Sequence, residues 1–171
     1  MPNGRVVASW IAVALTLTSL HACCMGRGRT TSTETITISG PGFAPDPTTS
    51  SAQAGGSVEA STLAASAGCV GSIPAAPQHT VHLGAALPLL RVLVNSTEDL
   101  TLVVRAPDGT FHCNDDSADP ANGLNPLVEI TNAQPGDYSV YVGAYSESAM
   151  LVTYSIGLTA MPGTFPSAVV R

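Results

Sequence analysis

The chain has 171 residues, enough for one domain of ordinary size with extensions. It contains six arginines, no lysine and twelve carboxylates, for a formal charge of −6. That balance excludes a nucleic-acid partner, because a phosphate-binding surface needs a cationic stripe; an acidic surface instead keeps a secreted domain dispersed and leaves cation binding open.

Residues 1–22 read as a targeting segment. Arg5 supplies a thin basic n-region, and residues 6–20 form an apolar stretch of about 15 residues, short of the roughly 20 that span a bilayer. Leu20-His21-Ala22-Cys23 resembles a bacterial lipobox, with an aliphatic residue at −3, a small one at −1 and a cysteine to be acylated. His21 and the single arginine depart from the usual pattern. The resemblance implies a lipoprotein signal peptide, lipidation at Cys23 and a membrane partner held through the lipid; plain secretion after cleavage at Ala22 is the alternative. A multiply acylated cysteine anchors firmly, whereas one chain binds only marginally. No aspartate follows Cys23, so the expected destination in the cell envelope is the outer membrane or the cell surface.

Residues 23–68 are dominated by Ser, Thr, Ala, Gly and Pro. Large apolar side chains are too scarce to offset the entropy of ordering, which predicts a disordered linker. Residues 33–38 alternate and could form a lone strand. A coil of this length has a mean span of roughly 35–40 Å, enough to hold a domain clear of a membrane.

The folded part is expected over residues 69–160, followed by a tail over 161–171. Short segments at 79–83, 89–95, 100–105, 110–113, 127–131, 138–144 and 151–158 are rich in Val, Ile, Leu, Thr and Tyr and bounded by Gly, Pro, Asn or Asp. That pattern predicts an all-β, antiparallel sandwich with minimal helix. Alternation puts Leu100, Leu102 and Val104 on one face, with Thr101, Val103 and Arg105 on the other. Tyr138, Val140 and Val142 form a second core row, and Val152, Tyr154, Ile156 and Leu158 a third. Ala106-Pro107-Asp108-Gly109 is a turn that closes a hairpin and returns Cys113 beside the Leu100 strand.

Cysteine usage agrees with export. With Cys23 and Cys24 assigned to the processing site, Cys69 and Cys113 remain as the pair in the body, outside CxxC spacing. In an exported chain they read as one structural disulfide.

The segments Leu90-Arg91-Val92-Leu93-Val94, Asp99-Leu100-Thr101-Leu102-Val103-Val104, Pro107-Asp108-Gly109, Cys113-Asn114-Asp115-Asp116, Gly123-Leu124-Asn125-Pro126 and Gly136-Asp137-Tyr138 together resemble the bacterial pre-peptidase C-terminal domain. The resemblance covers about 90 residues. It implies a jelly-roll-like β-sandwich that accompanies secreted enzymes as a non-catalytic appendage, although no catalytic domain precedes it in these 171 residues. Some members bind calcium.

Asn114-Asp115-Asp116-Ser117-Ala118-Asp119 is the one concentration of chemistry. Calcium takes six to eight oxygen ligands, so Asp115, Asp116 and Asp119 are candidate calcium ligands, although the frame is not an EF-hand. The alternative is that these side chains form Asx turns and cap backbone amides. His79 and His82, three apart on a strand, leave opposite faces and cannot chelate one ion; with His112 they read as sheet-surface residues. There is no GxSxG elbow, and Asp115 and Asp116 diverge as neighbours, so an enzyme is the minority reading. Tyr141 and Tyr145 are expected on the outer face, where rings stack on sugars or pair across strands. The function expected is therefore a non-catalytic envelope lipoprotein displaying a β-sandwich for binding or accessory duty, with a polysaccharide or protein ligand; a calcium-dependent carbohydrate- or matrix-binding module is the alternative.

Overall fold

In a computed structural model the described residues are Met1 and 32–170, apart from 147, 148 and 150. The chain divides into two compact units, Met1–Thr30 and Thr31–Arg171. The signal peptide and Cys23 lie outside the described residues, as does the start of the expected linker. Among the described residues no helix is long and apolar enough to cross a membrane.

The second unit is a β-sandwich. One sheet contains β1 (Glu34–Ile38), β5 (His79–Leu83), β10 (Gly136–Ala144), β7 (Leu100–Arg105) and β8 (Phe111–Asn114), paired in that order. The short strands β3 (Val58–Glu59) and β4 (Ser72–Ile73) continue it beside the end of β10. The other sheet runs β2 (Thr48–Gln53), β11 (Thr153–Thr159), β6 (Leu87–Asn95), β9 (Leu127–Ala133). A four-residue helix, α1 (Ala60–Leu63), follows β3 directly.

The alternation in the sequence sets the faces. Leu100, Leu102, Val104, Tyr138, Val140, Val142, Tyr154, Ile156 and Leu158 all lie in the main core between the sheets. Gly109 adopts φ 88°, and the amide of Gly109 donates to the Ala106 carbonyl at 2.9 Å, so the expected turn forms. The hairpin it closes pairs Leu102 with Asn114 and Val103 with Cys113.

The segment expected to be a linker is different. From residue 32 onward it is part of the sandwich: β1 adds to β5, burying Ile36 and Ile38, and β2 adds to β11. Threonine and serine suit an edge position, where one face is wet and few large side chains are needed. The pairing of β1 with β5 is parallel, against the all-antiparallel expectation. The connection between these two strands runs through β2 of the opposite sheet and then β3 and β4, so no hairpin dictates their direction.

Residues 58–73 cover the outer face of the larger sheet. Ala60, Ala64, Cys69 and Ile73 pack there on Val103 and Tyr141, forming a second, smaller core. Small side chains let this backbone lie close to the sheet. Cys69 and Cys113 form the expected disulfide, with Cα atoms 5.4 Å apart, and it fastens the covering layer to β8.

The expected tail is likewise docked. Val169 is buried, its carbonyl accepts from Asn95 Nδ2 at 2.6 Å, and a Cβ on Gly157 would meet its Cγ2 at 2.5 Å. Arg91 donates to the Thr164 carbonyl at 2.5 Å and stacks on Phe165.

The disulfide closes a separation of 44 residues, which in the chain-entropy treatment stabilises by roughly 3–4 kcal/mol. Reducing it, or making Cys113→Ser, is expected to lower the melting temperature by roughly 10–15 °C. Thermal unfolding followed by circular dichroism checks this, and an unchanged midpoint would show that the bridge restrains nothing.

Candidate binding site

Two edge strands from different sheets meet along one side of the sandwich. Among the described residues β8 pairs only with β7, and β9 only with β6. Three cavities follow the seam between them. The first, of about 210 Å³, lies between the Pro107-Asp108 turn and the far end of β9, with His112, Ile130 and Thr131 in its wall. The second, of about 450 Å³, is bounded by Phe111, His112 and Asn114 opposite Leu127, Val128 and Glu129. The third, of about 330 Å³, is walled by Asn114, Asp116, Ser117, Leu127, Arg91 and Phe165. His112 is shared by the first two, and Asn114 and Leu127 by the last two. The cavities therefore adjoin in a row along β8 and together outline a shallow trough beside it.

Its chemistry is set by few groups. Arg91 is buried, and its Nε–H donates to Glu129 Oε2 at 2.9 Å, so these charges cancel. Asp108 lies at one end, where hydrogen bonds from Thr110 hold its carboxyl below the usual range. Asp116 lies at the other end. Val128 and Ile130 are buried beneath the floor.

The acidic loop feeds one wall of this trough but is mostly committed to its own structure. Asp119 Oδ1 accepts from the Ala121 amide at 2.9 Å and the Ser167 hydroxyl at 3.0 Å, while Oδ2 accepts from the Ser167 amide at 2.7 Å. Burial raises its pKa, but these hydrogen bonds outweigh it and hold the carboxyl below its ordinary value. Asn122 Oδ1 accepts from the Leu124 amide, and the buried Asn125 links Asn95 to the Ser96 amide. Of the three aspartates read as calcium ligands, Asp115 and Asp116 remain at the surface while Asp119 is turned to Ser167. Among the described residues no group of three or more His, Cys, Asp or Glu side chains converges as a metal ion would require. The loop does bring Asp115 and Asp116 toward Asp99, which the sequence did not single out. Burial first, and then the charges of Asp116 and Asp115, push the Asp99 carboxyl up, and its Oδ1 is buried with no hydrogen-bond partner.

Two residues expected at the surface are inside. Tyr141 is 9% exposed, because residues 58–73 cover it; Tyr145 is exposed as expected. His79 is fully buried, because it shares the inward phase of Val81 and Leu83 on β5 and meets Tyr154 of the opposite sheet. Its Nδ1 lies 3.0 Å from Glu34 Oε2 and its Nε2 2.8 Å from the Tyr154 hydroxyl. A carboxylate can only accept, so Nδ1 carries the proton and Nε2 accepts from Tyr154. Glu34 also accepts from the Ser50 hydroxyl at 2.5 Å. This relay joins the two sheets through the core. Its order of carboxylate, imidazole and hydroxyl resembles a hydrolytic triad, but Tyr154 is 1% exposed and no substrate could reach its oxygen.

No family model matches the sequence, and no curated protein does. Among solved structures the chain is similar to the pre-peptidase C-terminal domain of a collagenase from Bacillus anthracis. The identity is 18% and the TM-score 0.42, over 75% of this chain and 97% of that one. That neighbour carries the name of the domain family that the sequence resembles.

Burial pushes the His79 imidazole below its ordinary 6.5, and the opposing pull of Glu34 does not cancel it. The unfolded chain therefore takes up this proton at a higher pH than the folded one. Stability from this site is complete above about pH 6.5 and falls as the pH is lowered, until the folded imidazole itself protonates. The slope is at most about 1.4 kcal/mol per pH unit for one proton. Urea unfolding at pH 7.5 and 5.0 is expected to show a larger loss for wild type than for His79→Gln, which retains a donor and an acceptor but cannot titrate. Equal losses would remove His79 from the acid response.

Proposed function

We propose that this chain is a non-catalytic module of the cell envelope, anchored through lipid on Cys23, that acts by binding a ligand in the trough between β8 and β9. The observation that carries the binding part is the row of adjoining cavities that outlines that trough. Three cavities share lining residues along the free edges of β8 and β9, whereas the Glu34–His79–Tyr154 set has its imidazole and hydroxyl buried in the core. Ligand sites are concave, with an apolar floor and a few placed polar groups, and the trough has that composition. The anchoring part is supported by the run Leu20-His21-Ala22-Cys23 behind an apolar segment.

The full chain expressed in a bacterial host is expected to sediment with membranes and to yield an N-terminal peptide carrying acyl mass on Cys23. Cys23→Ala is expected to move the protein to the soluble fraction with an unchanged circular dichroism spectrum. Membrane fractionation with mass spectrometry reads both outcomes. A wild-type chain that is soluble and unacylated would overturn the anchor.

A further inference from the structure

Resting on the reading of the trough as a binding site, we propose that its ligand is an extended, basic polypeptide segment that adds as a strand to the free edge of β9.

The pairing register decides which peptide groups β9 offers. The Val94 amide donates to the Pro126 carbonyl at 3.1 Å, and the register pairs Val92 with Val128 and Leu90 with Ile130. Antiparallel ladders alternate, so residues 126, 128 and 130 turn their peptide groups to β6. Leu127, Glu129 and Thr131 then turn theirs outward, into the trough. The amide of Leu127 confirms the direction, since it reaches across the seam to Asn114 Oδ1 at 3.4 Å. The outward amides and carbonyls of Glu129 and Thr131 are spaced to accept a strand, the arrangement used in β-strand addition.

Edge strands are ordinarily defended by a charge, a proline or a bulge. β9 carries one charge, Glu129, and it is neutralised by Arg91 at 2.9 Å. The edge is therefore not repelled from pairing. A strand lying there would set its inward side chains beside Val128 and Ile130, within the seam that β8 bounds.

Charge selects the partner. With Arg91 and Glu129 cancelling, the formal charges left on the lining are Asp108 at one end and Asp116 at the other. The other arginine among the described residues, Arg105, stacks on Phe111 and does not line the cavities. A segment with a basic residue at each end of an extended stretch meets this pattern, and complementary charge of this kind sets specificity and association rate.

The test uses the full chain and a probe matched to the seven residues of β9, acetyl-Lys-Val-Thr-Val-Thr-Val-Lys-amide, with hydrogen exchange read by mass spectrometry. The probe is expected to slow exchange about tenfold in the peptides spanning residues 127–133. Asp116→Lys, an exposed change, is expected to weaken binding about fivefold, and Thr131→Pro, which removes an outward amide, to abolish the protection. A probe N-methylated at alternate residues keeps its charge and loses strand pairing, so it is expected not to bind. Equal binding by that probe, or by one with Glu in place of Lys, overturns the inference. Protection of the trough by a chito-oligosaccharide and not by the peptide overturns it while leaving the binding reading intact; protection by neither overturns both.

Discussion

Strand β10 must satisfy hydrogen bonds along both edges, and the larger sheet is arranged around that demand. On one side β7 pairs with it from Ser139 to Ala144. On the other, β5 covers Gly136 to Val140 and Ser72 of β4 meets Ala144. Between these partners lies Val142, whose amide has no strand beside it and whose carbonyl accepts from the Gly55 amide at 3.1 Å. The side chain of Gln78 fills the place: its Oε1 accepts from the Val142 amide at 2.9 Å and its Nε2 donates to the Val142 carbonyl at 2.8 Å. An unsatisfied buried peptide group costs about 1–3 kcal/mol, so one amide side chain stands in for a residue of strand. The close approach of β4 also accounts for Gly143, where a Cβ would meet the Ser72 carbonyl oxygen at 2.6 Å.

The two open sides of the sandwich are treated differently. On the side of β1 and β2, Ser50, Glu34, His79 and Tyr154 form a polar chain that passes from one sheet into the other. On the side of β8 and β9 the cross-seam hydrogen bond is between the Leu127 amide and Asn114, near one end. The rest of the seam, as far as the Pro107 turn, is lined by the three cavities, and the trough is the space they occupy. The candidate site is thus a consequence of closing a two-sheet structure on one side only.

The parts of the fold visible in the sequence are those with large alternating side chains. Segments such as 100–105 and 138–144 carry Leu, Val and Tyr at every second position, and their faces follow directly. β1, β2 and the layer over the outer sheet were not legible, because Thr, Ser and Ala there bury little area individually and resemble a linker in composition. What holds them is tertiary: Ile36 and Ile38 reaching the core, Ala60 and Ala64 lying flat on Val103, and the bridge from Cys69. His79 was misread for a different reason: it shares the inward phase of Val81 and Leu83, and its ring meets Tyr154 of the opposite sheet. The trough could not be read at all, because β8 and β9 belong to different sheets and their adjacency is a property of the topology. The one local sign was the pair Asn114 and Asp116, which the sequence did mark as chemically dense.

That density has two distinct uses, separated by burial. Asp119 is 5% exposed and spends both carboxylate oxygens on Ser167 and Ala121, and so ties the acidic loop to the chain's last turn. That turn carries Phe165, which lies against Arg91, and Arg91 in turn neutralises Glu129 on the open edge. The state of the edge therefore depends on a connected set running from Asp119 through residues 165–167 to Arg91. Asp115 and Asp116 stand outside this set: Asp116 lies in the wall of the trough, and both carboxylates act on Asp99. The loop sequence holds three similar carboxylates, and its fold makes one a fastener and sets another, Asp116, in the wall of the trough.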